Sequence, residues 1–117
     1  MQSKRSAEFE ERFLCFGVDV IKLVIKHSEI PRSVASQVIR SSAGVGANYA
    51  EAQNAISRAD FKNKIFISKK EAAETRYWLR LIEKLTSSDL LAGYLKESQE
   101  ILLILQKIVN TLSKPAT

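Results

Sequence analysis

The chain has 117 residues, 45% apolar and 26% charged, with a net charge of +5, one cysteine, one histidine, four glycines and two prolines. That composition is globular, long enough to bury about two-thirds of the unfolded chain's surface, and its low Gly and Pro content favours helix. The lone Cys15 excludes an internal disulfide framework, and the single His27 leaves no Cys/His cluster for a structural zinc.

Helix one is predicted over about residues 8–27, because Phe9, Phe13, Phe16, Val20 and Leu23 recur at steps of four and three. Ser6 is its expected N-cap, with Glu8, Glu10 and Glu11 in the first turns, where the helix dipole favours negative charge. Cys15 reads as a small core residue and His27 as a partner of the C-terminal dipole. Pro31 cannot sit inside a continuing helix and marks the stop.

Helix two, about residues 32–55, carries Val34, Val38, Ser41, Val45, Asn48 and Ala52 on the same pattern. Gly44 and Gly46 cost it roughly 1 kcal/mol each relative to Ala. Either another backbone approaches closely there or the helix kinks. Ser57 followed by Asp60 resembles a capping box, so helix three is expected over about residues 58–85, with a seam of Phe61, Ile65, Ser68, Ala72, Thr75, Leu79 and Ile82. Helix four, about 89–112, is capped in this reading by Ser88 and seamed by Leu91, Leu95, Ser98, Leu102, Leu105, Val109 and Leu112, with Pro115 after its end.

Four amphipathic helices with short connections and no period-two segment argue an all-α fold, an up-down-up-down four-helix bundle forming a single domain over residues 1–117. Helix four adds Tyr94, Ile101, Leu103, Ile104 and Ile108 beside its seam, and helix one adds Val18, Ile21 and Ile25. This apolar surplus predicts a homo-oligomer with Tyr94, Ile101, Ile104 and Ile108 at the interface. The longest apolar run, Ile101 to Leu105, is too short for a membrane span, and MQSKRSAEFEER lacks the apolar stretch of a signal peptide. The expectation is a cytoplasmic protein that does not enter membranes.

No catalytic or cofactor constellation emerges. Glu-x-x-His pairs of di-iron bundles are absent, no base stands near a nucleophile, and GVG in helix two lacks the spacing and lysine of a phosphate loop. The expectation is no enzyme, no metal and no cofactor. Charge is more informative: residues 57–85 hold eight basic and four acidic side chains, an excess of +4 out of the chain's +5. At about 100° per residue, Arg58, Lys62, Lys69, Arg76, Arg80 and Lys84 fall within about 80°, a stripe roughly 39 Å long. Such a stripe suits a phosphate backbone of RNA or DNA; it also suits a merely solvated face, leaving a protein-interaction scaffold as the alternative. On the other side, Glu71 and Glu74 share an arc with Ile67, Trp78 and Leu81, and buried carboxylates need partners. Arg40, Asn48 and Glu51 of helix two with Glu74 of helix three are the expected structural polar network, with Asn48 and Glu74 hydrogen bonded within it.

The segments QVIRSSAGVGANYAEA and SRADFKNKIFISKKEAAETRYWLRLIEKL resemble the four-helix proteins encoded in 23S rRNA intervening sequences, over roughly Phe9 to Leu112. Gln37, Arg40, Asn48, Ala50, Glu51, Asp60, Phe61 and Glu74 fit that pattern; Gly44-Val45, Tyr49 and Ala52 depart from it. The resemblance implies a cytoplasmic bacterial protein forming a ring, with a pentamer favoured, and no enzymatic activity. The chain is also similar to the accessory variability determinant of diversity-generating retroelements, which implies a basic surface that binds nucleic acid and a protein partner.

Overall fold

A computed structural model describes residues 3–114, and Pro115 lies outside the described residues. They form α1 (Lys4–Lys26), α2 (Arg32–Ala52), α3 (Arg58–Thr86) and α4 (Leu91–Leu112), with no strand among them. Each helix packs on the next, and α1 and α4 meet only sparsely. Bonds at one end set the directions. Ser6 near the start of α1 donates to Gln53 after α2, Lys64 near the start of α3 reaches Glu51 near the end of α2, and Arg58 at the start of α3 donates to the Leu112 carbonyl at the end of α4. Successive helices therefore run antiparallel.

The helix ends correct several expectations. Ser3, not Ser6, caps α1, its hydroxyl accepting from the Ser6 amide at 3.1 Å. Glu8, Glu10 and Glu11 consequently lie beyond the first turn, away from the N-terminal partial charge. Ser6 instead joins a side-chain cluster with the Tyr49 hydroxyl and Gln53, both at 2.9 Å. The end of α2 comes at Ala52, after which Gln53, Asn54 and Ala55 each bond three residues back in a tightening turn. At α3 the Ser57 hydroxyl accepts from the Asp60 amide at 3.0 Å, while the Asp60 carboxylate accepts from Ile56 rather than from Ser57. The far end of α3 closes on Ser87 in the left-handed region, φ 52°, where its amide reaches the Glu83 carbonyl. Ser88 does not cap α4; Leu90 occupies that position without a side-chain bond.

Large side chains fill the core around Phe13, Ile65, Leu79, Ile82, Leu91, Ile101 and Leu105. The α3 seam of Ile65, Ser68, Ala72, Thr75, Leu79 and Ile82 is buried, with Phe61 partly so. In α2 the inward position next to Ala52 belongs to Tyr49, which meets Phe13 edge-on at 5.0 Å, and Asn48 is turned to the half-buried flank. Burial pushes the Tyr49 phenol up, against the opposing bond from Ser6. Cys15 is exposed, because Phe13, Phe16 and Val20 put the buried face of α1 on the other side; limited desolvation and then the neighbouring Glu11 carboxylate raise its thiol.

The helix runs through both glycines of α2 without interruption; another backbone comes near at Gly46, whereas Gly44 faces a side chain. A Cβ on Gly46 would stand 3.5 Å from the Phe13 carbonyl carbon, in ordinary contact with the α1 backbone. One on Gly44 would come within 3.0 Å of a Glu71 carboxylate oxygen. Gly44 thus clears the space that Glu71 occupies.

Candidate functional site

The face of α2 against α3 is lined with small and hydroxylated residues, and its hydrogen bonds close within the seam. The buried Ser68 hydroxyl donates to the Val45 carbonyl at 2.7 Å, and Thr75 Oγ1 lies 2.8 Å from both Ser41 Oγ and the Glu71 carbonyl. At the rim, Arg40 pairs with two acids of α3, Glu71 and Glu74. Its Nη1 is 3.1 Å from Glu71, its Nη2 bonds Glu74, and Glu74 also accepts from the Trp78 indole at 2.9 Å. The Gln37 side chain completes the cluster by accepting from Arg40 Nε at 3.2 Å.

The expected polar network therefore divides. Arg40 and Glu74 meet, with Glu71 and Trp78 added. Asn48 does not reach Glu74; its amide donates to the Gly44 carbonyl one turn back at 2.8 Å. Glu51 belongs to a separate pair with Lys64 at 3.3 Å. The cause is the register of the two helices: with Ser41 beside Thr75, Val45 beside Ser68 and Glu51 beside Lys64, Asn48 lies about two turns from Glu74. An amide that bonds the carbonyl four residues back satisfies itself locally.

With Glu71 and Glu74 held by Arg40, the cations of α3 are left over. Arg58, Arg80 and Lys84 are exposed, and Lys62, Lys69 and Arg76 are half-buried along their stems. Among the described residues, ion pairs join Arg12, Arg40 and Lys64 to carboxylates, and none of these six cations takes part. Arg58 donates to the Leu112 carbonyl, helping to satisfy the end of α4. The Nζ of Lys69 stands 5.6 Å from the Phe66 ring centroid. Arg76 Nε is inaccessible and has no hydrogen-bond partner among the described residues. The stripe is thus continuous in position, with Arg58 tied back at one end.

The residues expected at a subunit interface fare unevenly. Ile101 is 0% exposed, part of the core, so its side chain is not available to another subunit. Tyr94, Ile104 and Ile108 are half-buried against that core, and of helix four's surplus only Leu103 is clearly exposed. The apolar surface lies more on α1, where Leu14, Val18 and Ile25 are exposed beside a groove of about 320 Å³ floored by Gly17, Ala43, Gly46 and Ala47. A second cleft, about 530 Å³, opens where α1 and α4 diverge, between Phe9, Tyr49, Ile104 and Ile108. Above it a clasp holds the two helices: Arg12 is bidentate to Glu97 at 2.8 and 2.7 Å, and this pairing lifts its guanidinium above the usual range.

Sequence reasoning missed three features. The Arg12–Glu97 clasp needs the α1–α4 geometry and leaves no sequence signal. The Trp78–Glu74 bond was signalled by their four-residue spacing. The exposed rings Phe66 and Tyr77, 41% and 58% accessible, stand at the edge of the basic arc by helical angle alone. No group of His, Cys, Asp or Glu among the described residues is arranged to hold a metal ion, and no described helix is long and apolar enough to cross a membrane.

Comparison with known proteins agrees with this architecture. Residues 14–113 match the family described as 23S rRNA-intervening sequence protein. Four solved chains match, among them a protein of unknown function from the S23 ribosomal protein family of Bacteroides thetaiotaomicron. That structure is 32% identical with a TM-score of 0.82, over 90% of this chain and 97% of the other. No curated protein matches the chain. The family match covers most of the sequence, and the chain belongs to the 23S rRNA-intervening sequence protein family.

Proposed function

We propose that this member of the 23S rRNA-intervening sequence protein family is a non-enzymatic nucleic-acid-binding bundle, acting as a cytoplasmic homo-oligomer and using the stripe Arg58, Lys62, Lys69, Arg76, Arg80 and Lys84. The observation that carries the reading is the sorting of charge on α3. Its acids Glu71 and Glu74 are neutralised by Arg40 on the α2 side, while the cations of the stripe keep no carboxylate within ion-pair distance among the described residues. An unneutralised row of cations attracts a polyanion, and each phosphate it meets releases condensed counterions. The resemblance to the accessory variability determinant supports the same reading and adds an enzyme of nucleic-acid metabolism as a protein partner.

The test is a salt titration of binding to mixed-sequence RNA and DNA. Affinity falls steeply and log-linearly with salt, by about one power of salt for each phosphate neutralised. Changing Lys69, Arg76 and Arg80 together to Glu abolishes binding at low salt; unchanged binding in that variant refutes the assignment.

The exposed row Leu14, Val18 and Ile25 on α1, with Leu103 and the half-buried Tyr94, Ile104 and Ile108 on α4, supports self-association, because apolar area of this kind is seldom left in water. The family resemblance favours a ring of five. Light scattering at micromolar concentration is expected to show a closed oligomer that Leu14→Lys with Val18→Lys dissociates. A monomeric wild type, or an assembly indifferent to both changes, contradicts this half of the proposal. The same apolar row favours the scaffold reading, in which the partner is a protein alone; a partner that stays bound after nuclease treatment distinguishes it.

A further inference from the structure

We infer that the outward face of α3 binds single-stranded nucleic acid in particular, with Phe66 and Tyr77 as stacking platforms for unpaired bases; this rests on the nucleic-acid reading above and narrows its ligand.

Isolated exposed apolar side chains are ordinary on protein surfaces. What distinguishes these two is where they stand. At about 100° per residue, Phe66 and Tyr77 lie within about 20° of each other on α3 and roughly 16 Å apart along its axis. They are interleaved with Lys69, Lys70, Arg80 and Lys84, on an arc of about 120° that contains no carboxylate. Both rings are open to solvent, 41% and 58% accessible. Between them on the same face lie Lys70 and Ala73, both exposed, and the small Ala73 leaves room for a strand to lie close to the helix.

Each ring also has polar company suited to a nucleotide. Lys69 Nζ, 5.6 Å from the Phe66 centroid, is placed to meet a phosphate while the ring meets a base. Tyr77 is braced edge-on by Trp78 at 5.3 Å, and Trp78 is itself fixed by its bond to Glu74. That chain of contacts runs back to Arg40 and ties the exposed ring to the α2–α3 seam. A braced ring loses little rotamer freedom when a base stacks on it.

A cationic track bearing aromatic faces is the arrangement that holds single strands without reading their sequence, since every base has a π-face. In a duplex the bases are already stacked and their faces hidden, so the rings would be idle and only the cations would act. The separation of the rings is too large for adjacent bases, and they would seize two bases several nucleotides apart.

The experiment uses the full chain and its Phe66→Ala/Tyr77→Ala variant, with fluorescence anisotropy at low salt. The probes are a labelled RNA strand of about twelve nucleotides, the DNA strand of the same sequence, and the matching DNA duplex. Both positions are exposed on a helix and Ala is the best helix former, so circular dichroism should show the fold unchanged. The double variant is expected to bind the single strands at least about tenfold more weakly while its duplex affinity moves less than about twofold. A selective loss on either strand supports the proposal and identifies RNA, DNA or both as the ligand. Retention of binding by Phe66→Tyr/Tyr77→Phe, which keeps both rings, supports stacking.

Single-strand affinity that survives the double variant, or duplex affinity that falls in parallel, overturns the stacking role; the electrostatic reading stands in that case if the triple Glu variant still abolishes binding. Absence of any low-salt binding by the wild type overturns both. Dissociation of an oligomer by the double variant shows the face to be a contact between copies of this chain, which also overturns the proposal.

Discussion

The two long seams of this bundle are built from opposite materials. Between α2 and α3 the facing residues include Ser41, Gly44, Val45, Ser68, Ala72 and Thr75, and the helices close on each other with hydroxyl bonds and the Arg40 ion pairs. Between α1 and α4 the residues are large, Phe9, Ile104 and Ile108 among them, yet the helices meet sparsely, leave a cleft of about 530 Å³ and depend on the Arg12 clasp. Small side chains let backbones approach and make polar closure possible at short range. Bulky ones set a stand-off that only further side chains can fill. The α2–α3 seam is therefore the more closely packed of the two, and its rim ion pairs neutralise Glu71 and Glu74 of α3.

That contrast is broken most directly by adding volume. Ala72→Leu inserts three carbons where exposure is 1%, and is expected to cost about 1–3 kcal/mol by overpacking. Thr111→Leu, at the edge of the α1–α4 cleft, is expected to change stability by less than about 0.5 kcal/mol. Chemical denaturation of both variants checks the pair; equal costs would mean that the two seams are packed alike.

A smaller effect sharpens the comparison at single glycines. Gly93 in α4 has open space around it, so Gly93→Ala is expected to stabilise by up to about 1 kcal/mol through helix propensity. Gly44→Ala gains the same propensity but drives a Cβ to 3.0 Å from the Glu71 carboxylate, displacing the partner of Arg40. Its net change should be near zero or destabilising, and the difference in Tm between the two variants is the readout. A Gly44→Ala protein as stable as Gly93→Ala would show that Glu71 moves aside freely.

The four helices, the buried row of α3 and the concentration of positive charge on that helix were legible in the sequence by itself. A period of four and three reports which residues share a face, and on α3 it runs unbroken through Phe61, Ile65, Ser68, Ala72, Thr75, Leu79 and Ile82, while Ile67, Trp78 and Leu81 share their arc with Glu71 and Glu74, so the period had a single solution. In α4 it did not. Apolar residues surround much of that helix: Leu91, Ser98, Leu105 and Val109 of the predicted row are buried, but Ile101 takes an inward place and Leu95, Leu102 and Leu112 stay half-buried beside it. Which of two adjacent apolar columns turns inward depends on where α1 and α3 stand, and no local pattern encodes that. Tyr49 and Asn48 were exchanged for the same reason: the pocket beside Phe13 takes the ring, and the amide is carried to the flank. The basic stripe was a matter of helical angle alone. That Arg40 would neutralise Glu71 and Glu74 was decided by the packing of α2 on α3, because neutralisation depends on distances between helices that sequence spacing does not set.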